Sequence, residues 1–325
     1  MSQLNIVQAI NMALRQEMEK DERVVVLGED VGRDGGVFRV TEGLLEKFGE
    51  KRVVDTPLSE LGIVGIAIGM AIYGLRPVVE IQFDGFMYPI LDQLISHAGR
   101  LRTRSRGRFH VPIVVRAPFG GGIRAPEHHS ESPETHFVHT PGLKVVVPSN
   151  PYDAKGLLIS AMRDQDPVVF LEPKKIYRAI RAEVPDEEYT VPLGTAFTLT
   201  EGKDVSVFIW GAMTHVAVEA ARKAKEKGFT LEVVDLRTLS PIDTDAIVAS
   251  VRKTGRAIIV HEAPRTGGLG AEVAAIISEK ALLHLKAPII RVTGFDTPFP
   301  LYKLEDRYMP TVDRILKACE KVVNF

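Results

Sequence analysis

The chain has 325 residues, 45% of them hydrophobic and 26% charged, with 41 basic against 42 acidic side chains. That length suits two domains of roughly 100 to 200 residues each, and the composition is that of a folded globular chain, which excludes disordered and fibrous classes. A formal net charge of -1 excludes a sequence-wide electrostatic drive toward nucleic acid or an anionic membrane.

The first predicted elements are a helix over residues 5–20, with Ile6, Ile10, Ala13, Leu14 and Met18 near helical spacing, and a short buried strand over 24–27. A glycine-rich loop at 32–36 precedes a strand at 52–55, a helix at 62–73 and a strand at 77–82. Strands at 112–116, 144–147 and 167–171 follow, with a helix at 153–163 before the last. Apolar strands alternating with helices predict a mostly parallel α/β sheet. The pattern lapses into polar and turn-prone residues, then resumes with strands at 205–210, 231–235, 257–261 and 289–293 and helices at 214–227, 244–252, 270–285 and 312–323. The expected organisation is therefore a first domain over 1–185, a connection over 186–203 and a second domain over 204–325, each a mostly parallel sheet flanked by helices.

Cys319 is the only cysteine, so no internal disulfide framework exists and a reducing compartment fits. The N-terminal residues show neither a basic-then-apolar signal nor an Arg-rich transit pattern, and the most apolar stretch, 63–73, is half the roughly 20 residues a membrane span needs. A cytoplasmic protein with no membrane partner is expected.

The segment Asp55-Thr-Pro-Leu-Ser-Glu60 followed by Leu-Gly-Ile-Val-Gly-Ile-Ala-Ile-Gly69 puts one carboxylate at the mouth of an uncharged helix whose glycines share a face. Glu60 is either a first-turn residue favoured by the helix dipole or a carboxyl suited to sharing a proton with a heterocycle. The loop Glu127-His-His-Ser-Glu-Ser-Pro-Glu-Thr-His136-Phe-Val-His139 carries four of the nine histidines. Their spacing matches no familiar zinc arrangement, which leaves an acid/base imidazole or simple solvent exposure. Ala117-Pro-Phe-Gly-Gly-Gly122 reads as a glycine loop rather than a phosphate cradle, since no Lys-Ser/Thr follows. Arginines at 100, 102, 104, 106 and 108 would line one side of an extended chain, and without interleaved aromatics they suggest a surface or subunit contact. Phe86, Met87 and Tyr88, just past a predicted strand, are either core or ligand-facing.

With these residues in view, the chain resembles the beta subunits of 2-oxo acid dehydrogenase complexes, whose decarboxylase component is transketolase-like. The carrying motifs are Gly28-Glu-Asp-Val-Gly32, Gly36-Val-Phe-Arg39, Asp55-Thr-Pro-Leu-Ser-Glu60, Glu80-Ile-Gln-Phe83, His129-Ser-Glu-Ser132 and Asp235-Leu-Arg-Thr238, in one order along the whole chain. The resemblance implies a pyrimidine-binding first domain and a smaller C-terminal domain. It implies that Glu60 hydrogen-bonds the aminopyrimidine of thiamine diphosphate and promotes the tautomer that deprotonates the thiazolium carbon, and that His129 lies beside the reacting carbon. Leu58, Gln82 and Phe86 match positions around the pyrimidine, while His128 matches no known functional residue. Potassium at backbone carbonyls of Ile113, Ala161, Asp164 and Asp166 is a further implied site. The family holds its diphosphate through magnesium on a Gly-Asp-Gly motif, and no Gly-Asp-Gly occurs here. Magnesium is therefore expected on a separate alpha subunit, in an alpha2-beta2 heterotetramer that serves a lipoyl acyltransferase core.

Segments starting at Glu172, His261 and Gly294 look closer to branched-chain members, so a branched-chain 2-oxo acid is the expected substrate, with pyruvate dehydrogenase beta as the alternative. Three other readings stand beside it: a self-sufficient transketolase-type enzyme, a non-catalytic bridging subunit, and a metal hydrolase built on the histidine loop.

Overall fold

A computed structural model describes residues 1–325 and divides them into two compact units, Met1–Phe119 with His136–Leu193, and Gly120–Thr135 with Gly194–Phe325. No helix is long and apolar enough to cross a membrane.

The first unit runs β1 (Ser2–Leu4), α1 (Ile6–Lys20), β2 (Val24–Gly28), α2 (Leu44–Phe48), β3 (Val53–Asp55), α3 (Glu60–Ile72), β4 (Arg76–Glu80), α4 (Gly99–Arg104) and β5 (Val114–Phe119). It continues with α5 (Glu134–Val138), whose first residues belong to the other unit, then β6 (Lys144–Val146), α6 (Pro151–Arg163), β7 (Val168–Pro173) and β8 (Ala182–Val184). Its main sheet has the order β6-β7-β5-β4-β2-β3, and every pairing in it is parallel. The central strands β2, β4, β5 and β7 are buried at every residue, as strands covered on both faces must be, which is why they read as apolar runs. Helix α1 begins where Asn5 and Gln8 form a reciprocal capping box and buries its Ile6, Ile10 and Leu14 side. β1 and β8 form a separate antiparallel pair.

The second unit contains β9 (Phe197–Thr200), β10 (Val205–Ile209), α7 (Met213–Glu226), β11 (Leu231–Asp235), β12 (Thr238–Ser240), α8 (Thr244–Thr254), β13 (Ala257–Val260), α9 (Gly270–Ala281), β14 (Ile290–Val292), α10 (Glu305–Tyr308) and α11 (Val312–Val323). Its sheet has the order β14-β13-β10-β11-β9, parallel except for β9.

Three expectations change. The stretch read as a connection, 186–203, holds β9, an antiparallel edge strand whose pairing with β11 its own residues do not announce. The glycine and histidine segment 120–135 groups with the second unit, although β5 and β6 of the first unit flank it in sequence. The arginines at 100–108 do not lie on an extended chain: a π-helical turn, Gln93–Ala98, runs into α4, and Arg106 adopts a positive φ of 55° beyond it. Helical rotation disperses the side chains, with Arg102 paired to Asp166 at 2.7 Å and Arg104 donating to the carbonyl of Ser96.

Candidate active site

In the first unit β2 lies between β3, its successor in the chain, and β4, the strand after that, so the direction of winding reverses at β2. Open parallel sheets bind ligands beyond the carboxyl ends of their strands at such a reversal. The three strands end in register at Asp55, Gly28 and Glu80, so the segments that follow them, 56–60, 29–36 and 81–87, share that edge.

Asp55 ties two of these segments: its carboxylate accepts from the backbone N–H of Gly32 at 2.6 Å and of Arg33 at 3.1 Å. Ser59 then caps α3 by accepting from Gly62 N at 3.4 Å, which places half-buried Glu60 at the first helical position. Glu29 stands close enough to feel Glu60. Burial first, then the charges of Glu60 and Asp30, raise the Glu29 carboxyl above its ordinary value, while the N–H of Ser59 opposes the shift. Its Oε1 is buried without a partner in this chain. Gln82 donates to Asp30 Oδ2 at 2.9 Å, joining the segment after β4 to the one after β2. Phe86 packs edge-on against Phe83 at 6.1 Å, and Phe83 in turn meets Phe38 at 5.6 Å, giving this edge an aromatic wall. Leu58, by contrast, is 80% exposed. Large apolar side chains on α3 also face outward: Leu61, Ile66 and Ile72, with Tyr73 just beyond the helix.

Beneath this edge lies a buried ionic network. Arg116 bonds Glu80 at 2.9 Å and grips Glu172 with a fork at 2.6 and 2.9 Å, and Tyr177 donates to Glu172 at 2.5 Å. Burial works against the Arg116 charge, but Glu172 and Glu80 more than offset it and hold the guanidinium protonated. The Glu80 carboxylate lies against the backbone of Gly36, so the network supports the loop that carries Glu29 and Asp30. Lys174 and Asp84 form a second fully buried pair at 2.7 Å.

In the second unit His129 sits on the strap 120–135, where its Nδ1 meets the carbonyl of Glu127 at 2.9 Å. A carbonyl only accepts, so Nδ1 carries a proton in this contact. His128 precedes it with a positive φ of 67°. The other two histidines of the predicted loop belong to the first unit: His136 lies edge-on to Tyr88 at 5.8 Å, and His139 is exposed. No group of three or more His, Cys, Asp or Glu is arranged to hold a metal ion.

Comparison with known proteins places this geometry in a family. The transketolase pyrimidine-binding-domain family matches residues 2–179, and the transketolase C-terminal-domain family matches residues 194–315. The pyruvate dehydrogenase E1 component subunit beta of Bacillus subtilis (strain 168) is 52% identical over 325 residues, covering 100% of both chains. The corresponding subunit of Acholeplasma laidlawii is 52% identical over 324 residues, covering 100% of this chain and 99% of its own. The chain belongs to the E1 beta-subunit family of thiamine-diphosphate-dependent 2-oxo acid dehydrogenases. A solved structure titled as a split-gene transketolase, an inactive beta4 tetramer, superposes with a TM-score of 0.81 over 99% of each chain at 23% identity, a likeness of fold.

The relatives of this E1 beta chain do not support the branched-chain expectation, since those named act in pyruvate dehydrogenase. The physical reason is visible in the segments that suggested it. Glu172, Lys174 and Tyr177 are buried in the ionic networks, and His261 and Glu262 are buried in the second unit, so these positions report packing rather than a substrate pocket. The carbonyls matched to potassium already accept hydrogen bonds: Ile113 from Val168 at 3.0 Å, Ala161 from Asp164 at 3.2 Å and Asp164 from Arg76 at 2.8 Å. Glu29, which the sequence reading did not single out within Gly28-Glu-Asp-Val-Gly32, reaches this edge because β2 is the strand where winding reverses.

Proposed function

We propose that this chain is the beta half of a pyruvate dehydrogenase E1 component, with Glu60 acting on the pyrimidine ring of thiamine diphosphate and His129 on the oxo acid and the acyl acceptor. The carboxyl pair Glu29 and Glu60, at the strand edge where an α/β sheet binds ligands, carries this reading. The residues present fit a thiamine pyrimidine: a carboxyl at a helix start, a buried carboxyl oxygen with no partner, and an aromatic wall beside Gln82.

When bound, thiamine diphosphate supplies the nucleophilic carbon and the electron sink that decarboxylation of a 2-oxo acid requires. Glu60 holds a proton at the pyrimidine ring nitrogen. Glu29 stands beside it, its carboxyl raised above its ordinary value by burial and by the charges of Glu60 and Asp30. Asp30 fixes the amide of Gln82, and Phe86 gives the flat ring a face to lie on. His129, its ring oriented by the contact of Nδ1 with the carbonyl of Glu127, is the acid/base imidazole of this reading.

The alpha subunit, its magnesium, the alpha2-beta2 assembly and the lipoyl acyltransferase core belong to the same proposal. The exposed apolar residues Leu58, Leu61, Ile66, Ile72 and Tyr73 favour an incomplete surface that a second chain covers. Potassium is included at the carbonyls of Ile113, Ala161, Asp164 and Asp166, each of which has two lone pairs.

The test is reconstitution with an alpha chain, thiamine diphosphate and magnesium, measuring kcat/KM for pyruvate and for 3-methyl-2-oxobutanoate. Pyruvate is expected to be preferred by about 10-fold or more. A preference for the branched acid restores the other substrate, and Glu60→Ala with unchanged turnover in an intact complex leaves a bridging subunit instead.

A further inference from the structure

The histidine strap has almost no regular structure of its own before α5, so its shape depends on what fastens it. Gly120 N donates to the carbonyl of Glu131 at 2.8 Å and closes the strap into a loop with His128 and His129 near its end. Its fastenings then come from distant parts of the second unit. Gly121 N donates to Glu262 Oε2 at 2.9 Å, and Arg124 N donates to Glu305 Oε2 at 3.1 Å. The Arg124 guanidinium pairs with Asp306 at 3.1 Å over the ring of Tyr302, and Trp210 Nε1 donates to Glu134 Oε1 at 3.3 Å.

Three of these fastenings are buried carboxyls, Glu262 at 6% exposure, Glu305 at 2% and Glu134 at 0%, a costly arrangement unless something is gained by it. The glycine run explains how the strap comes so close. A Cβ on Gly120 would stand 2.7 Å from Glu262 Oε2, and one on Gly121 would collide with the ring of Phe299. Glycine therefore serves close approach here, which is the role of Ala117-Pro-Phe-Gly-Gly-Gly122.

We propose that Glu262 and Glu134, the latter held by Trp210, are positioning residues for His129: they touch no reacting atom and act on turnover by fixing the strap that carries it. This rests on the role given to His129 above. Glu262 holds the start of the strap and Glu134 its end, on either side of the histidine. The charged and titratable groups around Glu134 make its ionisation consequential. Trp210 donates to it, His261 stacks on Trp210 at 5.2 Å, and Glu262 repels its negative form. Tyr308, whose hydroxyl is influenced by Glu131, Glu262, Asp296 and Glu134, belongs to the same group, and Arg291 faces His261. Burial first, and Glu262 after it, push Glu134 up to about 8, so the strap is held by a neutral acid at neutral pH and acquires a second buried negative charge above it.

The experiment uses the reconstituted alpha–beta complex with thiamine diphosphate and magnesium, and compares His129→Ala, Glu262→Ala, Glu262→Gln, Glu134→Gln and the double variant His129→Ala/Glu262→Ala. We expect Glu262→Ala to lower kcat by about 10- to 100-fold with cofactor binding retained, and Glu262→Gln, which keeps an acceptor for Gly121, to recover most of it. The double variant should be no slower than His129→Ala alone, because a positioning residue acts only through the group it positions. Glu134→Gln should work at neutral pH, and if the unmodified complex loses kcat as Glu134 ionises near pH 8, as we expect, this variant should lack that fall. If His129→Ala leaves turnover intact, the role of His129 fails and takes this inference with it. If His129→Ala is crippling but Glu262→Ala is harmless or additive with it, the inference alone is overturned. Should Glu262→Ala not assemble, the near-isosteric Glu134→Gln decides: an unchanged alkaline limb overturns the proposal.

Discussion

Replacing Arg116 with methionine tests whether one guanidinium holds the two buried carboxyl groups beneath the site together. Arg116 is 1% exposed, and its partners Glu80 and Glu172 are 5% and 0% exposed, so the substitution strips two buried carboxylates of their cation while keeping most of the volume. Breaking a buried pair from one side costs about 3–5 kcal/mol. The variant can relieve this only by taking up a proton. A carboxyl whose folded-state pKa is raised contributes stability that is fully present below its unfolded pKa and is lost as pH rises through the folded one. The loss runs at up to about 1.4 kcal/mol per pH unit. Urea unfolding near pH 8 should therefore show the full loss, and unfolding near pH 5.5 a loss smaller by about 1–3 kcal/mol. A loss below about 1 kcal/mol, equal at both pH values, would refute the reasoning.

Two further outcomes follow from single positions. Gly142 has φ +94°, and a Cβ there would collide with the backbone carbonyl of Gly99, which cannot move aside as a side chain can; Gly142→Ala should cost about 3 kcal/mol or more, and urea midpoints within error of the parent would contradict this. Burial, reinforced by Arg291, lowers His261 from its ordinary value of 6.5 to about 4. The ring should stay neutral in an NMR titration until pH approaches that value. Its contribution to stability is present above the unfolded pKa and lost as pH falls toward the folded one, and a midpoint near 6.5 would remove the claim.

What the sequence made legible follows from where each interaction sits along the chain. β2, β4, β5 and β7 were readable because burial on both faces leaves an apolar run with no alternation to interpret. β1, whose Ser2, Gln3 and Leu4 pair with residues 182–184, was not, since nothing in three mixed residues names a partner so far away. Glu80 and Glu172 sit in otherwise apolar strands, and only pairing shows that Arg116 lies between them. Glu60 was singled out by its position at the mouth of an uncharged helix, and Gln82 and Phe86, as pyrimidine positions, by the family resemblance alone. Leu58 turned out to face solvent in this chain. The fastening of the strap was not legible because its anchors, Trp210, Glu262 and Glu305, are all remote in sequence. The branched-chain expectation leaned in part on Glu172, Lys174 and Glu262, which are buried side chains, and the named relatives do not support it.

The most direct test of the central claim is deuterium exchange at the thiazolium C2 of thiamine diphosphate bound to the alpha–beta complex. With Glu60→Gln the exchange should slow by about 100-fold or more while cofactor affinity stays within about threefold. Exchange at the unmodified rate, or equally fast exchange by the beta chain alone with cofactor and magnesium, would contradict the account.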